Sequence, residues 1–314
     1  MKKRLLPLLL FALLALLLLD PERYFLSVKG GAILFASAVL PSMLPYFFFT
    51  KLLTGTGCVG ALSGTVGRPV AKVYRVAPIA SYPLLMSLLS GYPVGARVLA
   101  DLHQKGLLSA KDLSHASAFC STSGSMFVLG SVGAVILKDG AAGAVILVAH
   151  YLGALLNGLL YRGKRNAERA VLLPVPVAAA GDLLSDAMYE SVLSLALVGG
   201  FIALSGLLGD MATDLLFRVG LDAVFAKGSV PSGLLYGAFE VTRGAVEFAA
   251  SGLGRVWKAA FCCGVISFGG LSVLLQTMTF LEKTGIKKGR ILLQKTTQGI
   301  LSFALCLGLG ALFL

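Results

Sequence analysis

Charge is what this chain has least of. Asp, Glu, Lys and Arg make up 13% of its 314 residues, against about 25% in an average soluble protein. It has one Trp and three His, and it contains no C-x-x-C, no His at metal-ligand spacing and no H-E-x-x-H. No metal site and no cofactor are therefore expected. No Ser/His or paired-Asp arrangement falls on neighbouring apolar segments, which argues against an enzyme. Acidic residues are scarce too: 15 Asp+Glu against 27 Lys+Arg leave a net charge of +12. The basic residues lie mainly in loops between apolar runs, without interleaved aromatics, so topology rather than nucleic-acid binding explains them. Cys58, Cys120, Cys262, Cys263 and Cys306 read as reduced, small apolar residues.

Hydrophobic residues fill the vacated share: 57% of the chain, with a mean hydropathy of +0.86 and 38 Gly. This is the composition of an all-α polytopic membrane protein whose helices pack closely in a lipid bilayer. Runs long enough to cross about 30 Å of hydrocarbon are Leu5–Leu19 (with flanking residues), Gly30–Leu53, Leu113–Leu137, Ala141–Tyr161, Asp182–Leu208, Val256–Leu281 and Gly289–Leu314. Met1–Arg4 is basic and Leu17–Pro21 offers no small-x-small cleavage site, so the first run reads as an uncleaved anchor. Two further stretches, Val76–Ala100 and Gly228–Gly252, carry a Gly/Pro break near their centre. Each half is too short to cross, and a re-entrant helical hairpin is the economical reading. The expected fold is thus about seven transmembrane helices plus two re-entrant hairpins.

Lys and Arg set the direction. With a cytoplasmic N-terminus, segments 1–4, 51–75, 101–112, 162–181 and 282–295 lie inside and hold most of the basic residues. The outside keeps only Arg23, Lys29, Lys138, Arg218, Lys227, Arg255 and Lys258. If either hairpin crossed fully, the 162–181 or the 282–295 cluster would move outside. Four regions follow: an anchor helix and outer loop (1–29), a first repeat (30–161), a basic cytoplasmic linker (162–181) and a second, inverted repeat (182–314). Asp210–Ala226 reads either as an amphipathic helix on the outer surface or as a solvated connector.

A phrase recurs in loosely related form in the two repeats. Ser90-Gly91-Tyr92-Pro93-Val94-Gly95-Ala96-Arg97 precedes Cys120-Ser121-Thr122-Ser123-Gly124-Ser125, and Tyr236–Arg243 precedes Ser267-Phe268-Gly269-Gly270-Leu271-Ser272 and Gln276. Paired, interrupted apolar segments in corresponding halves point to the binding site of a secondary transporter. Ser90, Gly91, Tyr92, Pro93 and Gly95 would form the first tip, with free N–H groups after Pro93 facing an anion. Arg97, one turn on, is the candidate partner of an anionic substrate, or else an Arg that snorkels to the inner surface. Ser121, Thr122, Ser123 and Gly124 would line an unwound stretch, with Ser267, Gly269, Gly270 and Ser272 as counterpart. Glu240, beside Thr242, is the only carboxylate near a hairpin tip and the candidate for ion coupling. Arg243 at i+3 offers the alternative of a structural ion pair. Tyr92 and Phe239 should approach each other near the bilayer midplane. His150 reads as a hydrogen-bonded packing residue.

Leu40–Phe47, Ser90–Ala96, Thr122–Gly124, Gly237–Thr242 and Ile266–Val273 together resemble the YlbJ-type (SpoVV) sporulation integral membrane proteins of the nucleoside-recognition Gate-domain superfamily. The resemblance implies a multi-pass protein of endospore-forming bacteria, similar in repeat plan to concentrative nucleoside carriers, in the cell membrane or a forespore membrane. It also implies movement of dipicolinate, a small aromatic dicarboxylate, into the spore. Three functions compete. A small-anion carrier working by alternating access draws on Arg97, the helix ends and the Ser/Thr clusters. An ion-coupled nucleoside or nucleobase carrier would use Glu240 and not need Arg97. A non-transporting sporulation scaffold would use the Gly-rich segments as packing surfaces, alone as a homo-oligomer or with other sporulation membrane proteins.

Overall fold

The computed structural model describes residues 2–163 and 182–314. These residues are helical nearly throughout, without strands. Five helical stretches are long and apolar enough to cross a membrane: Pro21–Gly55, Gly140–Leu160, Leu183–Arg218, Arg255–Thr284 and Lys288–Phe313. The protein is a multi-pass membrane protein. The linker residues 164–181 lie outside the described residues.

Helix α1 (Lys2–Leu19) exposes Leu8, Phe11, Leu14 and Leu18, as a lipid-facing helix does. Asp20 caps α2 (Pro21–Leu34) by accepting the Arg23 N–H at 3.2 Å, and Pro21 sits where no N–H is needed. A π-helical turn, Phe35–Val39, joins α2 to α3 (Leu40–Gly55). Pro41 and Pro45 cannot donate into the ladder here, and Ser42 Oγ turns back to the Ala38 and Val39 carbonyls at 3.1 and 3.0 Å. Residues 58–74, expected as part of an inner loop, form a helix, α4 (Cys58–Tyr74). It buries Val59, Ser63, Gly67, Val70 and Tyr74 on one side, a spacing of three and four that makes one helical face.

The Val76–Ala100 stretch is a helix-turn-helix: α5 (Ser81–Ser90) and α6 (Val94–Gln104) pack against each other across the Gly91–Pro93 turn. The expected single span Leu113–Leu137 is broken. A short helix, α7 (Ala110–Ala116), is followed by non-helical residues 117–124 and a π-helix, Phe127–Ile136, before α8 (Gly140–Leu160). The interruption covers the Ser/Thr-rich stretch expected to unwind.

The second half holds a long helix, a helix pair, a broken helix and a final helix. It begins with α9 (Leu183–Arg218), whose 36 residues make a rod of about 54 Å. Asp210 and Asp214 therefore stand on the last turns of this helix and not on a separate surface helix, which corrects the reading of Asp210–Ala226. Both point inward. Asp214 holds Arg23 and accepts the Tyr24 hydroxyl at 3.1 Å. Asp210 holds Ser27, the Tyr236 hydroxyl and, at 2.8 Å, Arg243 Nη2. The apolar sequence ends before these residues, but their partners extend the helix. Helices α10 (Val230–Phe239) and α11 (Val241–Ala250) form the second helix pair around Glu240. Arg255–Thr284 breaks at Gly269 into α12 (Arg255–Phe268) and α13 (Gly270–Leu281), followed by α14 (Lys288–Phe313).

Helices α8, α12 and α14 pack as one group, with Ile146, Ala149, Ala260, Cys263 and Cys306 at its core. A second cluster centred on Leu99, Leu113 and Phe119 holds α4 to α7 together. Each helix pair packs on the broken segment of the second half, α6 on α13 and α10 and α11 on α12 or α13. The outer surface carries exposed Leu193, Leu197, Leu204, Leu293 and Ile300, which lipid tolerates and water does not.

Candidate functional site

The two turns and the two breaks meet. Gly91 has φ +74°, and a Cβ there would stand 2.3 Å from the Gly124 nitrogen. Only glycine lets the first tip touch the unwound segment this closely. Gly95 likewise lies against the Cys120 carbonyl, and Pro93 precedes α6 as its N-cap. On the other side Gly270, at φ +64°, faces the Gly237 and Phe239 carbonyls. Each tip thus rests on a stretch of irregular backbone, a placement tolerated in a membrane only inside protein or around a cavity.

The non-helical residues 117–124 keep most of their backbone groups paired. Ser87 Oγ receives the Thr122 N–H at 2.8 Å and bonds its hydroxyl at 2.7 Å. Asn157 Nδ2 donates to the Ala118 carbonyl at 2.9 Å, and Gln298 Nε2 to the Ser121 carbonyl at 3.2 Å. His150, fully buried, is the central strut. Its Nε2 accepts the Ser123 N–H at 2.8 Å, so its proton is on Nδ1, which donates to Ser267 Oγ at 2.6 Å. One neutral imidazole therefore ties the unwound segment of the first half to the segment preceding the break in the second.

A cavity of about 60 Å³ lies at this junction. Ser90, Tyr92, Ser123, Gly124, Glu240, Thr242, Ser272 and Gln276 give it a polar side, and Met43, Phe127, Phe201 and Ile202 an apolar one. Tyr92 from the first turn and Glu240 from the second line the same space. Ser267, Gly269, Gly270, Ser121 and Thr122 support the lining without forming it.

Glu240 is 3% exposed and caps α11. Its carboxylate accepts the Arg243 backbone N–H at 2.9 Å and the Thr242 hydroxyl at 2.9 Å. The expected alternative of a Glu240–Arg243 ion pair does not form. The guanidinium turns away to Asp210 and lies 5.0 Å from the centre of the Tyr236 ring. An acidic N-cap needs only the neighbouring amide, which leaves the Arg243 side chain free to pair elsewhere.

Arg97 is not at the site. Its side chain is 60% exposed and faces Glu190 at 3.6 Å, beside Lys51. The α6 turn that buries Gly95, Ala96, Leu99 and Ala100 necessarily sends position 97 outward. The buried cation is Lys295 instead. Charge counting puts it in an inner loop, whereas the fold makes it part of α14 and leaves it 2% exposed. Its Nζ donates to the Tyr92 hydroxyl at 2.9 Å, the Ser121 carbonyl at 3.1 Å and Gln298 Oε1 at 2.8 Å. Sequence reasoning misses Lys295 and His150 as site residues. The available signal is the Gln294-Lys295…Gln298 spacing, which puts polar groups on one face of an otherwise apolar helix.

The chain aligns with the sporulation integral membrane protein YlbJ of Bacillus subtilis (strain 168), at 28% identity over 323 aligned positions, covering 92% of this chain and 78% of that protein. The similarity to that sporulation protein runs over most of both chains. No protein-family model matches it. Among solved structures, a single-site variant of CNTnw in its intermediate 1 state superposes on 100% of this chain and 86% of its own, with a TM-score of 0.49 and 15% identity. The match to the YlbJ protein makes this chain an integral membrane protein related to a sporulation protein.

Proposed function

We propose that the protein is a carrier that moves a small organic anion across the membrane by alternating access. By family resemblance the anion is dipicolinate, carried during endospore formation. The observation that supports this best is the convergence of both helix-pair turns and both helix breaks on one cavity. The α5–α6 and α10–α11 pairs are then re-entrant hairpins of two inverted repeats, placed in the Gate-domain superfamily by resemblance. The Lys/Arg distribution supports a cytoplasmic N-terminus in the cell membrane or a forespore membrane.

A cavity of about 60 Å³ holds roughly two waters, so a solute enters only when a hairpin moves. The α10–α11 hairpin is held by the Asp210 contacts to Tyr236 and Arg243, and these would be remade in each cycle. Charge supports an anion through Lys295, which stands directly behind Tyr92 and has no carboxylate partner among the described residues. With a proton on Glu240 the site is net positive, so an anion and a proton would travel together.

A second reading, an ion-coupled carrier of a neutral nucleoside or nucleobase, draws on a different observation. Among the described residues Glu240 is the only charged one lining the cavity, and Arg97 lies outside it. Proteoliposomes holding the purified protein separate the readings. Labelled dipicolinate should accumulate with a proton gradient, and Glu240→Gln should abolish that dependence. Uptake of a nucleoside and not of dipicolinate would establish the second reading. Uptake of neither, together with normal dipicolinate content in spores of a deletion strain, would leave a scaffold.

A further inference from the structure

Lys295 takes part in an arrangement with a use beyond attracting an anion. Its three acceptors are a hydroxyl, a main-chain carbonyl and an amide oxygen. The partners match the three donors of an ammonium. The Ser121 carbonyl can only accept. The Tyr92 hydroxyl gives its own proton to the Ile266 carbonyl at 3.1 Å. Gln298 turns its oxygen to Lys295 because its Nε2 donates to the Ser121 carbonyl. With the Tyr92 hydroxyl turned to Ile266, the three acceptors take the three N–H groups of an ammonium. Among the described residues no Asp or Glu forms an ion pair with it.

Oxygens of this kind, a carbonyl freed by unwinding together with side-chain oxygens, are what membrane carriers offer a desolvated alkali ion. Here they are already occupied by a tethered charge. The cage also joins moving parts: Tyr92 belongs to the first turn, Ser121 to the unwound segment and Gln298 to α14. The Lys295 side chain links the three.

We propose that Lys295 is a built-in cation, its ammonium filling a site between the first turn and the unwound segment, so that no sodium or other alkali ion binds at that position. The consequence, that transport is not driven by an alkali-ion gradient through this site, rests on the carrier reading. The occupied cage does not, and its test reads stability rather than transport.

The experiment compares thermal unfolding of the purified full chain in detergent with choline, sodium or potassium chloride at equal ionic strength. The wild-type midpoint should be the same in all three. Lys295→Ala, which empties the cage but leaves its oxygens, should unfold about 5 °C or more lower in choline. It should regain stability saturably with sodium, ammonium or methylammonium, as binding to the folded state requires. Lys295→Met, which refills the space with an apolar chain, should be lowered and not rescued. Absence of rescue of Lys295→Ala by all of these cations overturns the proposal. The wild-type arm stands by itself should Lys295→Ala not be recovered from membranes. There, a saturable gain from sodium or potassium that Gln298→Leu removes also overturns it, and identical midpoints uphold it.

Discussion

Replacing His150 with Phe should destabilise the protein through one identifiable pair of lost bonds. The ring volume is nearly kept, so little cavity opens. What disappears is the acceptor for the Ser123 N–H and the donor to Ser267 Oγ, at 2.8 and 2.6 Å, in a place without exposure. Ser267 can turn its hydroxyl to a carbonyl four residues back, so its loss is small. The Ser123 amide has no such freedom, because Gly124 is pinned by the Gly91 turn. An orphaned buried donor costs about 1–3 kcal/mol and the second lost bond about 1 kcal/mol, for a total near 2–4 kcal/mol. For a chain this size that is a fall of roughly 3–6 °C in midpoint. The chain supplies its own reporter: Cys120, Cys262, Cys263 and Cys306 are buried and free, and only Cys58 is exposed. In a Cys58→Ser background, labelling by a thiol-reactive fluorophore during heating follows unfolding directly. His150→Gln, which offers one acceptor oxygen and one amide donor, should recover part of the loss. A His150→Phe midpoint within about 1 °C of the parent would show that the imidazole only fills space, and the strut argument would fail.

Three further outcomes are expected. Arg97→Ala should leave uptake within about twofold of wild type, since an exposed ion pair is worth at most about 1 kcal/mol; abolished uptake at normal abundance would return Arg97 to the site. Gly91→Ala should reduce the protein recovered from membranes severely, because the added methyl meets the Gly124 backbone at a φ of +74°, whereas Gly289→Ala, whose Cβ meets nothing within 4 Å, should be recovered normally. The Arg255 guanidinium, with Nη2 2.7 Å from Oδ1, holds the Asp139 carboxyl down to about 2 from its ordinary 3.8. A depressed carboxylate stabilises fully above its ordinary value and is lost as pH falls through the depressed one. Asp139→Asn should therefore flatten the stability-against-pH curve between about 4 and 2 and change little about its shape above pH 5.

What the chain determined by itself follows from interactions local to it. Long apolar runs must be helices in lipid, because an unpaired backbone group has no water to turn to. The Gly-Tyr-Pro turn, the run of hydroxyls at 120–125 and the Gly269-Gly270 pair each disrupt a helix through their own chemistry. The breaks were therefore readable, and Tyr92, Ser123, Gly124, Glu240, Thr242 and Ser272, named from them, line one cavity. Tertiary structure decided which way each side chain turns and with whom it pairs. Arg97 looked like a site residue and Arg243 like an ion-pair partner of Glu240, because both stand next to the turns in sequence. One faces outward on the α6 surface, and the other reaches Asp210, brought beside it by α9. Conversely, Lys295 and His150 looked like a loop charge and a packing residue. Their roles depend on Ser121, Ser123 and Ser267, groups from distant segments. A break in a helix is a property of a few consecutive residues, whereas a buried charge or imidazole is acceptable only once the fold delivers its partners.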